Sequence, residues 1–204
     1  MPSAREMRLR IRSVKNIGQV TRALEAVSAS KVRKAVAANQ STKPYAEKAW
    51  KVILHLARQP GRRSIHPLLT VRSGVRRILV VLITSDRGLA GASNINVMRR
   101  TFEYFGNNPA PIDFVTIGKK GRDLLIRGHQ HIAADFSPMA SPASYRDVSA
   151  VGSLVVHGFE TEKYDQVFLA YNQFENMMVH KPVIRRILPV ELDLDGNGGS
   201  SFDR

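Results

Sequence analysis

The residues of this 204-residue chain best suited to chemistry stand in one short run, Thr84-Ser85-Asp86-Arg87-Gly88-Leu89-Ala90-Gly91. The run follows an apolar stretch and precedes a helix-forming one, which is where open α/β sheets hold their ligands. Glycine amides, a helix start and the Arg87 guanidinium are the ingredients of a phosphate loop. The spacing, however, is neither the Walker pattern nor the dinucleotide fingerprint, and no Lys-Ser or Lys-Thr pair follows Gly91. The competing reading is a tight strand-to-helix turn, with Asp86 and Arg87 exposed or paired. Gly118-Lys119-Lys120-Gly121-Arg122 offers the same choice. A basic helix start after a strand accounts for it without a ligand.

Other chemistry is thinly represented. There are no cysteines, so disulfides, cysteine zinc sites and thiol nucleophiles are excluded. Of the six histidines only His129 and His131 are close, flanking Gln130 with no third ligand near. No serine sits in a nucleophile elbow. The acids after residue 75 are scattered singly rather than paired for acid–base work. The expectation is a chain with no catalytic residue, no metal and no cofactor.

The elements that would carry these residues differ sharply between the two ends of the chain. From Ser3 to about Asn39 there is no proline and one glycine, Gly18. Apolar or small residues recur at Met7, Ile11, Val14, Ile17, Thr21, Leu24, Ser28, Val32 and Ala35, in steps of three and four, one stripe on a helix. Pro44 interrupts the pattern, as a kink or near the start of a second helix capped by Ser41 or Thr42. Periodicity resumes at Tyr45 and stops at Gln59-Pro60-Gly61. If collinear, such a helix is a rod of roughly 80 Å, and its apolar stripe calls for a partner helix.

Beyond Gly74 the pattern alternates. Arg77 to Thr84 reads as a strand buried on both faces, and Ser93 or Asn94 as the cap of a helix ending near Phe105. Ile112–Ile117 is a second strand, and Gly118 to Arg127 a short helix closed by Gly128. His131 to Phe136 is a third strand, Ser137 to Ser144 a loop, and Asp147 to Glu162 a helix. Gln166 to Asn172 and Pro182 to Leu192 are further strands, and Asp195 to Ser201 is a flexible tail. This alternation predicts an α/β fold with a mostly parallel sheet. The expected organisation is a basic helix over 1–58, an α/β domain over 75–192 and a tail over 193–204.

Charge follows the same division. The net charge is +14. Residues 1–63 hold fifteen Lys and Arg against three acids, whereas the rest hold sixteen against fourteen. The opening segment therefore seeks a polyanion or an acidic surface. A nucleic-acid binder would use Arg5, Arg8, Arg10, Arg12, Lys15, Arg22, Lys31, Arg33 and Lys34 on phosphates. No aromatic residue precedes Tyr45 to stack on bases, which counts against that reading. No stretch approaches the roughly 20 apolar residues of a bilayer span, and the N-terminus has no apolar signal core.

Two segments carry a family resemblance. Ile11-Arg12-Ser13-Val14-Lys15-Asn16-Ile17-Gly18-Gln19-Val20-Thr21-Arg22-Ala23-Leu24-Glu25-Ala26-Val27-Ser28-Ala29-Ser30-Lys31-Val32-Arg33-Lys34 closely resembles the N-terminal helix signature of ATP synthase gamma subunits. Ser85-Asp86-Arg87-Gly88-Leu89-Ala90-Gly91-Ala92-Ser93-Asn94 is similar to that family's S-D-R-G-L-C-G-G-L-N turn. Ala90 stands at the common cysteine, Ala92-Ser93 replace Gly-Leu, and Leu24 and Ala26 occupy paired methionine positions.

The resemblance implies a non-catalytic central-stalk rotor: a long N-terminal α-helix (one half of a coiled-coil shaft) plus a mostly parallel, Rossmann-like α/β domain. It implies as partners the alpha and beta subunits, the epsilon subunit and the ring of c subunits. Proton flow would be coupled to ATP synthesis on beta, with no nucleic acid involved. The implied location is peripheral, on the cytoplasmic face of the bacterial plasma membrane. Carried over by residue, Lys15, Arg22, Leu24, Lys31, Arg33 and Lys34 become the shaft face that meets the alpha/beta ring. Asp86, Arg87 and Gly88 become a structural turn at the rotor base. Family members continue into a second long helix, whereas this sequence stops at Arg204. The expectation is a fragment, or a truncated gene.

Overall fold

The computed structural model describes residues 3–58, 66–139, 143–176 and 179–190. These fall into two compact units, the first ending at Val52 and the second beginning at Ile53. The expected tail after residue 192 lies outside the described residues.

The first element, α1, is a single helix, Ala4–Arg58, of 55 residues. It starts on a reciprocal capping box. The Glu6 amide donates to Ser3 Oγ (3.3 Å), and the Ser3 amide donates to Glu6 Oε2 (3.2 Å). Pro44 lies inside this helix and does not begin a second one. A proline has no N–H for the carbonyl four residues back, a loss of roughly 3 kcal/mol in a helix interior. The neighbouring hydroxyls bond carbonyls of the turn before the proline. Ser41 and Thr42 both donate to the Ala38 carbonyl at 2.9 Å, and Thr42 also reaches the Asn39 carbonyl at 3.2 Å. These two residues bond backward within the helix, as Ser and Thr do in helix interiors, so they are not N-caps. Lys43 and Glu47 pair across the proline at 3.7 Å.

The second unit is built on a five-stranded sheet in the order β3-β2-β1-β4-β5. The strands are β1 (Ile78–Ile83), β2 (Ile112–Ile117), β3 (Ile132–Asp135), β4 (Gln166–Phe174) and β5 (His180–Leu188). The first four run parallel, and β5 pairs antiparallel with β4. Every residue of β1 from Ile78 to Leu82 is buried, because helices cover both faces of the sheet. On one face α2 (Ser93–Phe105) and α3 (Lys119–Arg127) bring Val97, Met98, Phe105 and Leu125 against Ile78, Val80, Leu82, Phe114 and Phe168. On the other, α4 (Tyr145–Glu160) brings Val151, Val155 and Phe159 against Leu79, Val81, Val115 and Val167.

Several element boundaries differ from the sequence reading, and β4 runs on to Phe174 while β5 ends at Leu188 and α4 at Glu160. The helix α4 begins at Tyr145, two residues before Asp147, because Ser144 caps it and Asp147 returns the bond. The strand β5 begins at His180, ahead of Pro182. A proline is tolerated there because β5 is a sheet edge. Neither Ser93 nor Asn94 caps α2. Ala92 holds the cap position without a side-chain bond, and the Ser93 and Asn94 side chains are engaged elsewhere.

Candidate functional site

The turn after β1 sits at the C-terminal edge of the parallel strands, beside the point where the strand order reverses from β1-β2-β3 to β4. Several of its donors and acceptors are used internally. The Ser85 amide donates to Asn94 Oδ1 (3.0 Å), and Asn94 Nδ2 donates to Ser85 Oγ (2.8 Å). Ser85 Oγ in turn donates to the Arg87 carbonyl (2.7 Å). The side chain of Asn172 on β4 donates to Ser93 Oγ (2.9 Å).

The second basic run, at the start of α3, is joined to the same turn. The Lys119 amide donates to the Asp86 carboxylate (3.0 Å), the Lys120 amide to the Ser85 carbonyl (3.1 Å) and the Gly121 amide to Thr84 Oγ1 (2.8 Å). A helix N-terminus binds anions through these first amides. Here a carboxylate of the chain itself holds one of them, and carbonyl and hydroxyl oxygens hold the others. Asp86 thus fills the place a phosphate would take, and both basic runs form one structural joint. The glycines are required by close approach. A Cβ on Gly118, at φ +103, would overlap the Thr84 carbonyl oxygen, and one on Gly121 would lie 2.7 Å from Thr84 Oγ1. Arg87 and Gly88 are exposed at the tip.

The histidine pair is divided. His131 Nδ1 bonds Asp113 Oδ1 at 2.9 Å, and His129 occupies the turn before β3 at φ +52. Among the described residues no group of three or more His, Cys, Asp and Glu is placed to hold a metal. No helix among them is long and apolar enough to cross a membrane.

The most heavily bonded polar residues lie at the opposite edge of the sheet, where sequence reading found nothing. Asp165, only 2% exposed, accepts from Arg72 Nη1 (2.9 Å), from the Arg76 and Arg77 amides (2.7 and 3.2 Å) and from Arg76 Nη2 (3.3 Å). Burial pushes its carboxyl pKa upward, but the Arg72 and Arg76 bonds outweigh this and bring it down to about 2. Asp113, 4% exposed, accepts from the Tyr164 hydroxyl (3.0 Å) and lies 3.6 Å from the Arg77 guanidinium. Burial first, and then the bond to Asp113, raise the Tyr164 pKa to about 12. The partners stand 36 to 93 residues apart in the chain, so no local spacing could reveal them.

The basic residues of α1 are the remaining candidates. Lys15, Arg22, Leu24, Lys31, Arg33 and Lys34 are all exposed on this one helix. At about 100° per residue, Lys15, Arg22 and Arg33 fall within about 20° of one another, and Leu24 lies on the far side. The six therefore do not share a face. Leu24 belongs with the apolar stripe, whose Ile11, Val14 and Ile17 are 64%, 68% and 61% exposed.

Comparison with known proteins matches both segments in a single frame. The ATP synthase family model matches residues 3–202. The ATP synthase gamma chain of Roseiflexus sp. (strain RS-1) is 39% identical over 94% of this chain and 67% of its own length. That of Anaeromyxobacter sp. (strain Fw109-5) is 38% identical over 100% of this chain and 71% of its own. The present chain thus spans about two thirds of the length of these relatives. A solved chain from the central stalk and c-ring of the Tetrahymena thermophila mitochondrial ATP synthase overlays with a TM-score of 0.44 at 23% identity, covering 74% of this chain and 71% of that one. A striped 55-residue helix, a sheet unit whose turn places its own carboxylate at the start of α3, and a family match running nearly end to end agree, and the chain belongs to the ATP synthase gamma family, the non-catalytic central-stalk subunits of the rotary enzyme.

Proposed function

We propose that this chain is the shaft and base of the rotor of a proton-driven ATP synthase at the cytoplasmic face of a bacterial plasma membrane. In this reading α1 turns inside a ring of alpha and beta subunits, and the sheet unit works at the foot with epsilon and the c-ring. The observation that carries it is the exposed stripe along α1, from Met7 through Ile11, Val14, Ile17 and Leu24 to Val32. A helix this long with an apolar face turned to water requires a second helix along it. The row formed by Lys15, Arg22 and Arg33 lies beside the stripe and is the part of the shaft that meets acidic surfaces of the ring. Lys31 and Lys34 face other directions and meet the ring at other angles of rotation. The turn Asp86-Arg87-Gly88 joins the first strand to α3 at the rotor base.

Reconstitution tests this reading. Alpha and beta subunits mixed with this chain are expected to form a complex in which ATP hydrolysis drives rotation of a probe on the chain. Normal assembly and rotation-coupled hydrolysis with the chain left out would refute it. Strong, salt-steep binding of the free chain to DNA at physiological ionic strength would favour a nucleic-acid function instead.

A further inference from the structure

We propose that the connector over residues 66–77 is a mechanical clamp, with Arg72 and Asp165 as positioning residues for torque passing between the shaft helix and the sheet unit. The proposal rests on the rotor reading above. By chain connectivity, any load carried along the backbone between α1 and β1 passes through this connector. Most surface connectors are held by little beyond solvent and their two ends. This one is fastened at three successive places.

At the first, Leu68 packs into the apolar cluster on the α4 side of the sheet, and its carbonyl accepts from the Val190 amide at 3.0 Å. Val190 follows the last strand, so the backbone entering the sheet unit is bonded to the backbone leaving it. At the second, the Arg72 guanidinium closes the C-terminal end of α4. Its Nη2 donates to the Phe159 carbonyl (2.6 Å), its Nη1 donates to the Tyr164 carbonyl and to Asp165 Oδ1 (both 2.9 Å), and its Cζ lies over the Phe159 ring, 4.6 Å from the ring centre. At the third, Asp165 Oδ2 takes the backbone amides of Arg76 and Arg77, immediately before β1.

The chemistry is costly for a connector. A buried carboxylate must be compensated by several well-placed donors, and a loop that only spans a gap has no need of one. Two of the four donors to Asp165 are backbone amides, so the carboxylate fixes the path of the chain itself and not merely a side chain. The connector, the end of α4 and the start of β4 are thereby held on one buried charge.

The test uses the assembled complex with the alpha/beta ring immobilised and a probe on the sheet unit, and it reads the angular spread of the probe while hydrolysis is paused. Asp165→Asn and Arg72→Lys are expected to widen the spread and to leave unloaded ATP hydrolysis unchanged. Val97→Ala, which opens a cavity in the apolar cluster on the other face of the sheet, is expected to lower stability without widening it. If Asp165→Asn does not assemble, Arg72→Lys decides, because it keeps the cation beside Asp165 and gives up only one branch of the guanidinium. Variant complexes as stiff as wild type, or equal widening by Val97→Ala, would overturn the clamp alone. Failure of the wild-type chain to join the ring would remove the rotor reading, and the clamp with it.

Discussion

At the scale of single residues, two positions decide how the sheet unit is closed at its two edges. Gly118 permits the approach of α3 to Thr84. Gly118→Ala meets both a positive φ and an overlapping carbonyl oxygen, so the backbone must move. A loss of about 3 kcal/mol is expected in urea unfolding. Gly152→Ala, on the exposed side of α4 with nothing within 4 Å, is expected to gain about 0.5–1 kcal/mol instead. Opposite signs from two glycines would separate close approach from helix propensity. At the other edge, Asp165 titrates near 2 when folded and at roughly 3.9 when unfolded. A depressed folded pKa means that its contribution, about 2 kcal/mol, is complete above the unfolded value and is lost as pH falls through about 2. Unfolding free energy measured from pH 6 downward should fall across that window. Asp165→Asn should flatten this acid limb and cost about 3 kcal/mol at neutral pH by leaving the Arg72 cation without its counter-charge. An unchanged acid limb in the variant would show that other carboxylates govern acid unfolding.

At the scale of elements, α1 is limited by its two helix-weakening residues, Gly18 and Pro44. Gly18 is exposed, and a methyl group placed on it would meet nothing within 4 Å, so Gly18→Ala changes propensity alone. A peptide of residues 3–58 should gain helicity in circular dichroism, equivalent to about 0.5–1 kcal/mol, and no gain would mean that the helix is already saturated there. The elements were legible wherever local pattern determines them. The run Ile78 to Ile83 reads as a doubly covered strand because no residue in it is polar, and Gly118 and Gly128 bracket α3 by their position. The misplaced starts of α4 and β5 have different causes, neither carried by the apolar pattern. The two-residue error at α4 and the early start of β5 depend on a cap closed by Asp instead of Glu, and on which strand lies at the edge. Pro44 could not be settled locally either, because the hydroxyls just before it also match an N-cap pattern. Of the polar sites, the turn at Ser85 was visible from its glycines, whereas its self-filled chemistry depends on Asp86 meeting Lys119, 33 residues away. The Asp165 cluster had no local signature at all.

At the scale of the molecule, the two units differ in what they need from outside. The sheet unit covers both faces of its central strand with its own helices, and the connector from His66 is bonded to the outgoing backbone at Val190. It therefore contains a complete core, and residues 66–190 expressed alone should unfold in one cooperative transition. The helix has no such closure. Its stripe from Met7 to Val32 is exposed, and fifteen cationic side chains in residues 1–63 repel one another with only three acids to balance them. Isolated residues 3–58 should be only partly helical when dilute, and should gain helix as concentration or salt rises, because salt screens the repulsion and association covers the stripe. Circular dichroism over a concentration and salt series, with sedimentation on the same samples, reads both effects. Full helicity in the dilute monomer would mean that α1 stands by propensity alone. The argument from its apolar face to a companion helix, and from there to a shaft, would then lose its physical basis.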